Sequence, residues 1–165
     1  MTIKGKIFKY GENVNTDVIF PGKYTYTIQD PHEMANHALE DLDPEFSSEV
    51  KEGDFIVAGS NFGCGSSREQ AATCLKYAGI SAIIAKSFSR IFFRNAINQG
   101  LMVLQCPQIY DAVSKGDIIE IDFENGKIIK GSVEFQFPPI PPEIQNIMKD
   151  GGLIPHTKKK ISTIK

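Results

Sequence analysis

Tryptophan is absent from the sequence, and cysteine and histidine are scarce, with three of each. Cys64, Cys74 and Cys106 are an odd number, widely spaced, with no Cys-x-x-Cys pair. That spacing gives no plausible disulfide framework, and free thiols in a reducing cytoplasm are the expectation. His32 and His37 are five apart on a predicted helix and do not share a face, and His156 stands near the C-terminus. No His/Cys/Asp cluster has metal-ligand spacing, so no metal is expected in this chain. Neither sign of charge dominates: 18 Lys and Arg face 20 Asp and Glu, a net charge of −2. Binding to nucleic acid or an anionic membrane surface is not expected from such a balance. No apolar run approaches the ~20 residues of a membrane span. Met1-Thr2-Ile3-Lys4-Gly5 lacks the apolar core of a signal peptide, which agrees with a cytoplasmic location.

What is present is ordinary globular material. The chain has 165 residues, 41% of them hydrophobic, which suits one domain over 1–165 with a proper core. Lys6–Tyr10 alternates and reads as a first strand. Asp30-Pro31-x-Glu33 has the residues of a helix start, and that helix should run to about Leu42, with Met34, Ala35, Ala38 and Leu39 inward. Phe55–Ala58, Ala82–Ala85 and Leu101–Leu104 are short apolar strands. Between them lie helical patterns over Ser67–Tyr77 and Phe88–Gln99, the second bearing Ile91, Phe92 and Ile97. Strand, helix, strand, helix, strand with short links means a parallel βαβαβ core. Asp117–Phe123 and Lys127–Lys130 flank Glu124-Asn125-Gly126, a hairpin signal, and Phe135 and Phe137 suit a further short strand. A short helix should cover Pro142–Lys149, and Lys158–Lys160 reads as a solvated end. The fold class is therefore α/β, a parallel core with antiparallel β additions at both ends of the chain.

The chain is organised around Gly59-Ser60-Asn61-Phe62-Gly63-Cys64-Gly65-Ser66-Ser67-Arg68-Glu69-Gln70. This is a glycine-rich turn from a strand to a helix, at the strand end where such sheets bind ligands. It is not a P-loop, which needs Gly-Lys-Ser/Thr, nor a dinucleotide fingerprint, because Arg68 stands where the third glycine should be. It is not a nucleophile elbow, since no Gly-x-Ser-x-Gly covers Ser66 or Ser67. Two serine hydroxyls beside a guanidinium at a helix start suit a small carboxylate substrate. Arg68 could clamp the carboxylate through two parallel bonds, and one serine could transfer a proton. The plainer reading makes Ser66 the N-cap of a capping box with Glu69 and pairs Arg68 with a neighbour. Cys64 could suggest a nucleophile, but no histidine neighbours it in sequence.

Asn61-Phe62-Gly63-Cys64-Gly65-Ser66-Ser67-Arg68-Glu69 resembles the active-site loop of the aconitase superfamily's swivel domain. Asn15-Thr16-Asp17-Val18-Ile19 with Pro21-Gly22-Lys23-Tyr24, and Ser87-Phe88-Ser89-Arg90-Ile91-Phe92-Phe93-Arg94-Asn95-Ala96-Ile97-Asn98-Gln99-Gly100, match the family's other signatures. The resemblance covers nearly the whole chain. It is closest to the small subunits of 3-isopropylmalate dehydratases, in the short form shared with homoaconitase and 2,3-dimethylmalate dehydratase. It implies a swivelling β/β/α fold and a two-subunit hydro-lyase of leucine biosynthesis that isomerises 2- and 3-isopropylmalate by dehydration and rehydration. A large partner subunit would carry a [4Fe-4S] cluster, with none in this chain.

By the same resemblance Ser66 is the catalytic base, Arg68 holds a substrate carboxylate and Ser67 also binds substrate, with Asp17 and Asn61 as candidate support. The loop Tyr24-Thr25-Tyr26-Thr27 would meet the substrate's variable group. Homoaconitase-type loops carry arginine where this chain has Tyr26. The alternatives from other classes are a non-catalytic carboxylate-binding module and a stand-alone enzyme using Cys64.

Overall fold

Strands that are apolar on both faces need cover on both faces. In the computed structural model, which describes residues 1–164, β1 (Thr2–Lys9), β2 (Phe55–Ala58), β3 (Ala82–Ala85) and β4 (Met102–Gln105) pair in parallel. Every residue of β2 and β3 is buried. On one face Phe8, Ile56 and Ile83 pack with Ala71, Ala72 and Leu75 of α4 (Gln70–Tyr77) and Phe92 and Ala96 of α5 (Arg90–Gln99). On the other face Ile7, Phe55, Val57 and Ile84 meet Ile119, Ile121 and Ile128. These come from β5 (Ile118–Asp122) and β6 (Lys127–Lys130), which with β7 (Val133–Gln136) complete one sheet of order β4-β3-β2-β1-β5-β6-β7.

The antiparallel additions do not stand at both ends of the chain. The N-terminal strand pairs parallel with β2, Ile7 opposite Phe55, and antiparallel with β5, Ile3 opposite Ile121. β1 thus joins the parallel half to the antiparallel one. The β5–β6 turn is closed by Asp122, whose carboxylate accepts the backbone N–H groups of Glu124 and Asn125 at 3.1 Å each.

The helix expected from Pro31 to Leu42 stops early. The remaining helices are α1 (Thr16–Ile19), α2 (Pro31–Ala35), α3 (Phe46–Glu49), α6 (Pro107–Tyr110), α7 (Pro142–Lys149) and α8 (Leu153–Thr163). Asp30 caps α2 as expected, its carboxylate accepting the Glu33 N–H at 3.0 Å. Leu39 then adopts φ 58° and gives its N–H to Ile19 at 2.8 Å, which no helical residue could do. Met34, Ala35, Ala38 and Leu39 are nevertheless buried. Phe92 and Ala96 set the buried face of α5, and Ile91 is 48% exposed. The lysine-rich tail is the end of a helix, α8, anchored by Lys159 and His156 on Asp150 at the C-terminus of α7. No helix among the described residues is long and apolar enough to cross a membrane.

Candidate active site

The loops that follow β1, β2 and β3 are stitched into a rigid tongue at the carboxyl ends of these strands. Gly59 N–H donates to Gly11, Asn13 to Ser60, Gly63 to Val14 and Thr16 to Cys64, all between 2.8 and 3.0 Å. On the other flank Phe62 N–H donates to Ser87 and Ser89 N–H to Phe62. The loop after β2 therefore continues the sheet as isolated parallel bridges, Asn15 to Cys64 and Phe62 to Phe88. Glycine is required where the backbone turns inside this tongue. Gly63 has φ 79°, and a Cβ there would overlap the Phe92 side chain. Gly65 has φ 101°, and a Cβ would lie 2.6 Å from Asn15 Oδ1. Glu12 accepts the Ser60 N–H, which holds its carboxyl below the usual range, and ion-pairs with Lys86 at 3.7 Å.

Ser66 and Arg68 lie in an irregular segment before α4. Ser66 does not cap that helix: the N-cap is Glu69, with no side-chain cap bond, so the capping box is not formed. The Ser66 hydroxyl has other partners. Arg68 Nε donates to Ser66 Oγ at 2.9 Å, and Thr16 Oγ1 lies 3.0 Å away on the other side. The rest of the Arg68 fork is also engaged. Nη1 donates to Thr25 Oγ1 at 2.7 Å, and Nη2 forms an ion pair with Asp17. Asp17 is placed by Asn15, whose side chain caps α1 and accepts the Asp17 N–H at 2.8 Å. Gly22 keeps the Tyr24–Thr27 loop close, since a Cβ there would sit 3.1 Å from Arg68 Nη1.

The expected site residues divide into two groups. Ser66, Arg68, Asp17 and Thr25 come together; Ser67 flanks them, exposed, with its carbonyl accepting from Asn95 Nδ2 at 3.0 Å. Tyr26 is 92% exposed, and Thr27 is exposed beside it. Tyr24 turns back onto its own chain: its hydroxyl donates to Glu40 at 2.9 Å and its ring stacks on His37, centroids 4.1 Å apart. Lys23 pairs with the same carboxylate at 3.2 Å. Asn61 has φ 59° and is tied to Asn13 and Ser87. The sequence reading missed Thr16 and Glu40. Asn15-Thr16-Asp17 was visible as turn chemistry, but only the tertiary stitch to Cys64 reveals what Thr16 touches.

Among the described residues no three His, Cys, Asp or Glu side chains could hold a metal ion. Cys74 and Cys106 are buried, and burial pushes both thiols up. The backbone of Cys64 carries the stitch to Thr16.

A family model described as the Aconitase C-terminal domain matches residues 8–109. A 3-isopropylmalate dehydratase small subunit of Thermodesulfovibrio yellowstonii is 51% identical over 165 residues, covering 98% of this chain and 97% of the relative. One from Aquifex aeolicus is 49% identical, covering 99% and 98%. The chain belongs to the 3-isopropylmalate dehydratase small-subunit family. The crystal structure of a member from Methanocaldococcus jannaschii superposes with TM-score 0.92 at 45% identity, covering 99% of this chain and 97% of that one. The seven-stranded sheet described above is thus shared, as an overall fold, with that member.

Proposed function

We propose that this chain is the small subunit of a two-subunit hydro-lyase that interconverts 2- and 3-isopropylmalate by dehydration and rehydration, with Ser66 as the base. The observation that carries this reading is the contact of Arg68 Nε with Ser66 Oγ at 2.9 Å. A serine is a weak base unless its anion is stabilised, and a fixed guanidinium beside the oxygen does that. The Ser66 alkoxide takes a proton from the carbon next to the one bearing the hydroxyl. The C–H electron pair becomes the new double bond as the hydroxyl leaves. Rehydration returns the proton from the same oxygen. The Nη edge of Arg68, shared here by Thr25 and Asp17, is where a substrate carboxylate would make two parallel bonds. Asp17 is about half exposed and free to yield that place. In this reading Ser67, exposed beside Arg68, contacts the substrate, and Asn61 supports the loop through Asn13 and Ser87.

This chain's donor set does not fit a [4Fe-4S] cluster, which we assign to the large partner subunit. A cluster of that kind would supply a Lewis acid for the departing hydroxyl. The free thiols favour a reducing, cytoplasmic setting. The relatives and the Tyr24–Thr27 loop together favour isopropylmalate over a tricarboxylate. Tyr26 offers one hydroxyl, and the charge of Lys23 is already matched by Glu40.

Reconstitution with the large subunit tests the reading. Ser66→Ala should abolish turnover and leave the complex assembled. Arg68→Lys should weaken kcat/KM by roughly ten- to a hundredfold, since an ammonium loses the two-pronged bond. Isopropylmalate, 2,3-dimethylmalate and homoaconitate should be assayed side by side, with isopropylmalate the best. Near-normal turnover by Ser66→Ala, or a preference for homoaconitate, would overturn the reading.

A further inference from the structure

We infer that Thr16 is a positioning residue for the base, a hydroxyl rotor that serves both protonation states of Ser66; the inference rests on Ser66 being the base. Thr16 is 2% exposed, one of the few buried polar side chains in the protein. Its backbone is held at both ends. Its N–H donates to Cys64 at 2.8 Å, and its carbonyl accepts the Phe20 N–H at 3.0 Å. The side chain is therefore delivered to one place by the stitch between the first and second loops.

At that place the single hydroxyl has two acceptors in reach. Ser66 Oγ lies at 3.0 Å and the Ser66 carbonyl oxygen at 3.1 Å. A hydroxyl donates one proton and accepts on its lone pairs, so the two arrangements are exclusive. While Ser66 is neutral, its O–H donates to Thr16 Oγ1, and Thr16 donates to the Ser66 carbonyl. When Ser66 is an alkoxide, Thr16 turns about its C–O bond and donates to Oγ. No heavy atom has to move, because both acceptors are already at hydrogen-bond distance. The alkoxide then receives two converging donors, Arg68 Nε on one side and Thr16 on the other. Burial keeps water from competing for the Thr16 proton, which strengthens that bond. After Ser66 takes the substrate proton, the pair swaps back: Ser66 keeps the proton and turns it toward Thr16 until rehydration returns it.

A merely structural threonine would support the loop equally in both states. The rotor predicts a different kinetic pattern. In the reconstituted complex, Thr16→Val keeps the shape and removes the donor. The expected result is a fall in kcat of roughly a hundredfold, the lower end of the effect of removing one oxyanion donor. KM should change by no more than about twofold, as for an interaction made only along the reaction path. The low-pH limb of the kcat profile should move to higher pH, because the alkoxide is harder to form. Thr16→Ser should restore both rate and profile. Thr16→Cys, with its weaker donor, should fall between them and keeps the test open if Thr16→Val fails to assemble. Near-wild-type kcat with an unmoved limb in Thr16→Val or Thr16→Cys, beside an inactive Ser66→Ala, would overturn the rotor and leave the base standing. An active Ser66→Ala would remove the base and the rotor together.

Discussion

At the scale of single residues the site depends on atoms that are not there. Gly63 turns at φ 79° with Phe92 packed where its Cβ would be, so α5 and the loop that carries Ser66 touch ring to backbone. Gly63→Ala should destabilise the fold by about 1–3 kcal/mol through overpacking, with a further ~1–2 kcal/mol for the left-handed backbone. Gly11→Ala is the control. Nothing lies within 4 Å of a Cβ there and its φ is not in the left-handed region, so its unfolding free energy from urea titration should stay within about 0.5 kcal/mol of wild type. Equal midpoints for the two variants would mean the Gly63 contact carries no strain. Ser66 shows why residue roles were only partly legible. Its spacing to Glu69 is that of a capping box, but an arginine two residues on and a buried threonine from another loop compete for the same hydroxyl. The spacing is local, and the outcome is decided by chain fifty residues away.

At the scale of elements the loop around Tyr24, a 3-10 turn over Gly22–Tyr24 and the residues to Ile28, is latched from behind by Glu40. Burial raises the Glu40 carboxyl, but hydrogen bonds from His37, Tyr24 and Lys23 outweigh it and hold the group below its usual value of 4.5. The bond to Glu40 raises the Tyr24 phenol and the Lys23 ammonium in turn. A carboxyl depressed on folding stabilises above its unfolded pKa and stops doing so as pH falls through the depressed value. The latch should therefore hold at neutral pH and release only as the pH falls below the ordinary glutamate range. Thr27 and Ile28, whose N–H groups bond to the Tyr24 carbonyl, report it by hydrogen exchange. Glu40→Gln should speed their exchange at neutral pH by roughly five- to thirtyfold, the effect of one or two kcal/mol, and remove the acid dependence. Unchanged exchange would mean the loop is held by Arg68 and Thr25 alone. The sequence showed Asp30-Pro31 as a helix start and the hydrophobic spacing beyond it, both correctly. It did not show that Leu39 leaves the helix to bond Ile19, because that acceptor belongs to α1.

At the scale of the whole molecule the periodic parts were the legible ones. The βαβαβ core follows from short doubly buried strands alternating with amphipathic helices, and the Asn125-Gly126 turn from its own chemistry. The double pairing of β1 was not legible, since one alternating strand looks the same beside a parallel or an antiparallel neighbour. The remaining prediction also belongs to the whole chain. Ser66 and Ser67 are exposed, and Tyr26 stands almost free of the surface. An alkoxide open to bulk water is solvated and reprotonated, so the base needs a cover that excludes water. Among the described residues nothing covers these two serines. The isolated chain should thus fold and yet turn over no hydroxy acid. Adding the large subunit should restore turnover and slow hydrogen exchange across residues 59–68 and 22–28 at the same concentration. Activity in the chain alone would show that the cover is not needed. Restored activity with exchange unchanged in both loops would show that the partner docks elsewhere and that this face is not where the two subunits enclose the substrate.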